Sequence, residues 1–170
     1  MTISMYQAAI PVFRKMLTNL KAILEKAAAH AQAKKIDESA LVNARLFPDM
    51  FTLTRQVQIA TSFAVGTGAR LAGMEPPAFE DNEQNFVELI TRVDRALDYV
   101  ASLSATQIDG SEAREIVRPI RGEPHRFTGM NYLLHFALPN FYFHVTTAYA
   151  ILRHNGVELG KADFIGGLDQ

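Results

Sequence analysis

Residues 133 to 156, LLHFALPNFYFHVTTAYAILRHNG, place His135, His144 and His154 with Pro139 and Asn140 in the most aromatic part of the chain. Imidazole binds divalent transition metals and exchanges protons near neutral pH, so three on one segment raise metal chemistry first. The spacing argues against a shared ion. A helix turns about 100° per residue, so His135 and His144, nine positions apart, point to opposite sides. His154 falls beside Arg153, on the side of His135. Asn140 and His144 are four apart and share a face with Leu133, Ala137, Thr147 and Ile151. A second stripe of Leu134, Leu138, Phe141, Val145, Ala148 and Leu152 runs beside it.

A counterpart for Asn140 and His144 lies in residues 49 to 71. Asp49, Gln56 and Thr67 fall there on the same side as Leu53, Val57, Ala60, Ala64 and Leu71. Polar groups carried into an interior need partners, and Gln56 opposite Asn140 and His144 meets that need. The candidate polar pocket is therefore Asp49, Gln56, Asn140 and His144. One imidazole and two amides suit hydrogen bonding or a small-molecule ligand, and they are a poor donor set for zinc or nickel. Asp49 adds a carboxylate if it reaches. Pro139 cannot donate to the carbonyl of His135 and its ring crowds that group, so a kink is expected. The kink either fits the helix to its neighbours or leaves a carbonyl to line the pocket.

Four helical segments must carry these residues. The first spans about Ser4 to Ala33, with Ile10, Phe13, Leu17, Leu20 and Leu24 in one stripe. Pro11 sets its regular start near Ala9 or kinks a longer helix. KKIDESALVNARLFPDM reads as a connection, the second helix runs from about Asp49 to Leu71, and GMEPP stops it. The third follows FEDNEQ, with Asp81 or Asn82 as cap and Glu83 at the positive helix end. Phe86, Leu89, Ile90, Val93, Leu97 and Val100 form its stripe. EIVRPIRGEPHRFTG is too rich in Pro and Gly for a helix and reads as an extended excursion or one hairpin, with Glu112 and Glu115 on a solvated face. The histidine-bearing segment is the fourth helix, stopped by Gly156. GTGARLAG follows a helical pattern, so its glycines serve close helix packing rather than a phosphate. In the tail, Phe164 and Ile165 should pack on the helices and leave Lys161 and Asp163 to solvent. These elements predict an all-α, up-and-down four-helix bundle, one domain over residues 1–170, with the excursion between helices three and four.

Composition narrows the function classes. The chain is 48% hydrophobic and 21% charged with a net charge of -1, the profile of a globular protein without a nucleic-acid partner. It has no cysteine, which removes thiolate sites and cysteine nucleophiles and suits a reducing cytoplasm. The N-terminal residues lack the features of a secretory signal, and Pro139, Asn140 and the histidines interrupt the one segment that approaches a membrane span. The fourth helix is apolar over most of its circumference with Phe143 on the outer side, so a homodimer is expected.

RLFPDMFTLTRQVQIATSFA, ARLAG and LPNFYFHVTTAYAILRHNGVELGKADFIG together resemble the bacterial family called domain of unknown function 1993, over nearly the whole chain. That family is grouped with the DinB-like and YfiT-like superfamily of metalloenzymes, which implies an up-and-down four-helix bundle that often dimerises. In the superfamily, three histidines hold a divalent metal, one on the second helix and two in an HxxxH on the fourth. By position these fall on Gln56, Asn140 and His144, and only His144 is a histidine. Two readings stay open. One is a dimeric, small-ligand-binding or non-catalytic bundle with a degenerate metal site. The other is a metal-dependent enzyme of transferase or isomerase type, with Asp49, Gln56 and His144 holding the metal or His144 acting as acid or base.

Overall fold

The computed structural model describes residues 2–167, most of them helical. Helix α1 (Met5–Lys34) opens with a reciprocal cap, in which Ser4 Oγ accepts from the Gln7 N–H and the Gln7 side chain accepts from the Ser4 N–H. The helix continues unbroken past Pro11, which sits on the exposed side where its lost backbone bond is open to water. Lys35, at φ 56°, ends it. The stretch expected as a plain connection contains α2 (Glu38–Val42), capped by Asp37. Five residues are too few to display a helical period among so many charges.

Helix α3 (Leu53–Leu71) starts later than expected, because Thr52 accepts from the Arg55 N–H and is the cap. Asp49 is left in the preceding turn. Helix α4 (Phe86–Ala101) is capped by Asn85, which accepts from the Glu88 N–H, and not by Asp81 or Asn82. A short α5 (Ala105–Ile108) follows. The expected hairpin is present as β1 (Glu115–Ile120) and β2 (Glu123–Thr128), antiparallel with Ile120 opposite Glu123. Arg121 and Gly122, at φ 54° and 88°, form its two-residue turn, with the positive angles that match strand twist.

The segment of the opening motif begins with α6 (Gly129–Asn131), widens into a π-helical turn over Tyr132–Ala137 and continues as α7 (Leu138–His154). Gly129 lies so close to the chain that a Cβ there would overlap the Ser111 carbonyl oxygen. The π turn, with Leu138 N–H bonded to Leu133 O, ends at Ala137, two residues before Pro139. The disturbance expected at the proline takes this form, in which the wider turn gives the ring room against the preceding carbonyls. It also shifts the helical phase, so Leu134 leaves the apolar stripe assigned to it and is 41% exposed.

α1 packs against α4 and α7, and α3 packs against the same two helices. Phe13, Leu17 and Leu24 of α1 meet Val57 and Ala64 of α3, Phe86 and Val93 of α4, and Phe141 and Val145 of α7 in one buried cluster. Phe13 and Phe141 touch edge to face at 4.9 Å. The tail forms α8 (Lys161–Ile165), with Phe164 against Tyr149. Lys161 is exposed as expected, but Asp163 accepts from the Gly160 N–H and from Lys26 Nζ, tying α8 to α1. No helix of the described residues is long and apolar enough to cross a membrane.

Candidate functional site

Gln56 is on the second turn of α3 and His144 on the second turn of α7, and the packing of those helices brings the two together. His144 Nδ1 lies 2.7 Å from Gln56 Oε1, with both residues buried. The Gln56 amide nitrogen donates to the Phe51 carbonyl at 3.3 Å, which turns the amide oxygen toward the imidazole. A carbonyl oxygen only accepts, so Nδ1 carries the proton and Nε2 presents a lone pair. Burial, with the Arg55 charge second, pushes His144 down to about 4 from an ordinary 6.5, so the ring is neutral at pH 7. Phe63 stacks on it at 6.2 Å and Phe143 meets it edge-on at 5.2 Å. Phe143 is 56% exposed, so an apolar ring borders the pair on its outer side.

The other two candidates do not join it. Asn140 is half-buried and its amide nitrogen donates to the Phe136 carbonyl at 2.7 Å, one turn back on its own helix. A short amide in a helix finds the carbonyl four residues back more readily than a group across an interface. Asp49 is exposed ahead of the Thr52 cap, since α3 begins only at Leu53. Thr67 is buried on α3 with no partner for its hydroxyl among the described residues. His135 and His154 are exposed. Among the described residues no three His, Asp or Glu side chains gather as a metal site. His144 keeps Nε2 free, but a single imidazole with an amide and no carboxylate beside it is a poor donor set for a divalent ion.

The model of the family described as Domain of unknown function (DUF1993) matches residues 5–165. The chain belongs to that family. A crystal structure of a DinB family member protein from Shewanella denitrificans is 42% identical and has a TM-score of 0.91, covering 97% of this chain and 93% of that one. No curated protein matches the chain.

In this DUF1993 chain the most heavily bonded polar group is one that sequence reasoning passed over. Arg92, 1% exposed, sits on the buried side of α4. It donates to Thr61 Oγ1 at 2.7 Å, to the Glu80 carbonyl at 2.9 Å, to Glu83 Oε1 at 2.9 Å and to Ser62 Oγ at 3.1 Å. Asp81 pairs with it at 3.0 Å and also with Arg55. Gln58 closes the network by donating to Glu83 Oε2 at 2.8 Å. Glu83, read as a helix-start charge, is thus a buried counterion. The signal available was Arg92 itself, an arginine one residue ahead of Val93 in the apolar stripe.

Proposed function

We propose that the protein is a dimeric DinB-like bundle, up-and-down in its four long helices, that binds a small ligand and retains the place of a metal site without its donors. The observation that carries this reading is the buried hydrogen bond between Gln56 and His144. It occupies the position where the superfamily resemblance puts metal ligands, and its chemistry is that of a fixed acceptor. The neutral ring offers Nε2 to a hydroxyl or amide donor, and Phe63 and Phe143 supply apolar surface beside it. The absence of cysteine agrees with a bacterial cytoplasm as its location.

The test is metal analysis of protein purified without an affinity tag, alongside His144→Ala. The expected outcome is no stoichiometric metal in either protein and a loss of roughly 1 to 3 kcal/mol in the variant, as Gln56 loses its buried partner. The likeness to a DinB family member favours the second reading, a metal-dependent transferase or isomerase type of enzyme. Stoichiometric metal that co-purifies with the wild type and disappears with His144→Ala would put that reading in place of the first.

A further inference from the structure

Away from the polar pair, a hollow of about 170 Å³ opens between α3, the Pro76–Phe79 stretch and β1. Its lining includes two half-buried cations, Arg70 and Arg118. Arg118 lies over the rings of Phe63, at 4.6 Å, and Phe136, at 5.3 Å, which hold the guanidinium in place. Its one hydrogen bond among the described residues goes to the Tyr132 hydroxyl at 3.3 Å. Arg70 likewise makes one, to the Gly66 carbonyl at 3.0 Å. A guanidinium has five N–H donors, so most of those on both residues remain unspent.

The nearby carboxylates do not neutralise them. Asp81 and Glu83 are engaged by Arg55 and Arg92, and Glu115 by Arg126. Glu75 and Glu115 border an adjoining hollow that shares Arg70, and neither forms an ion pair with Arg70 or Arg118. Gly66 is part of the same arrangement. A Cβ at that position would come within 2.5 Å of Arg70 Nη1, so the missing side chain lets Arg70 fold back onto its helix.

We propose that this hollow binds a small oxyanion, a carboxylate or a phosphate, between Arg70 and Arg118, with Phe79 as an apolar wall. Planar forks with unspent donors suit such groups, and rings that fix Arg118 in advance reduce the ordering cost of binding. The site is separate from the Gln56 and His144 pair and does not rest on the function proposed for it.

The test follows the melting temperature of the full chain in titrations with sodium phosphate and, separately, sodium acetate, with ionic strength held constant by sodium chloride. Wild type, Arg118→Gln and Gly66→Ala are compared. The expected result is a saturable rise for the wild type and binding weakened roughly tenfold or more in Arg118→Gln, since a charge-assisted hydrogen bond is lost. Saturation with phosphate alone assigns a phosphate, with acetate alone a carboxylate, and with both a general oxyanion. Gly66→Ala keeps every charge and improves helix propensity, so it should fold at least as stably while binding weakly because Arg70 is displaced. No saturable response beyond the chloride control, or undiminished binding in both variants, would overturn the proposal.

Discussion

His144 is uncharged in the folded chain at pH 7, and acidification exposes what that neutrality costs. Between its ordinary pKa of 6.5 and the folded value of about 4, the unfolded chain takes up a proton that the folded chain does not. Stability from this group is complete above pH 6.5 and is lost as the pH falls toward 4, by on the order of 2 to 3 kcal/mol. His144→Asn keeps an N–H donor for Gln56 but cannot titrate. Urea unfolding at pH 7 and pH 4.5 should therefore show a larger loss for the wild type than for the variant, by about 2 kcal/mol. Equal losses would mean that His144 is not held neutral. At this scale the sequence showed that Gln56 and His144 belong on facing sides of two packed helices, because both share faces with apolar residues. It could not place Asn140, whose choice between its own helix and the opposite one depends on a local carbonyl. Asp49 was misplaced because the true start of α3 rests on Thr52, one candidate cap among several polar residues.

The element that most depends on a single side chain is the stretch from Ala72 to Asn85, which Arg92 fastens to α3 and α4 through Glu80, Asp81 and Glu83. Replacing Arg92 by Met leaves Glu83 buried without its counterion, and the loss should be about 3 to 5 kcal/mol. Adding Glu83→Met to that variant should recover part of it, because the stranded charge is gone. Chemical denaturation of the single and double variants checks both values. Limited proteolysis should cut the Ala72 to Asn85 stretch faster in Arg92→Met than in the wild type. Long helices were legible from apolar spacing, and the hairpin from its Pro and Gly content. The buried ion network was not, since a pattern of apolar positions carries no information about which charged residues a loop folds inward to meet. Pro139 marked the site of a backbone disturbance, but a π turn in place of a simple kink depends on how the surrounding core receives the extra residue.

For the whole molecule, packing within the chain leaves apolar side chains uncovered beside the candidate site as well as elsewhere on the surface. Leu46, Phe47, Phe51, Tyr142 and Phe143 are all exposed. Phe143 touches His144, and the Phe51 carbonyl holds Gln56, so two of these residues border the polar pair itself. Exposed rings beside the polar pair, with Phe143 on a helix already buried along its inner side, favour cover by a second copy over exposure to water. Light scattering during size exclusion at micromolar concentration should give twice the 18.9 kDa of one chain. Phe143→Lys should shift that mass toward the single chain while the circular dichroism spectrum is unchanged, because its side chain is mostly outside the core and a lysine there meets water without strain. A wild type that runs as a single chain at that concentration would overturn the dimer, and a dimer indifferent to Phe143→Lys would place the contact on another face.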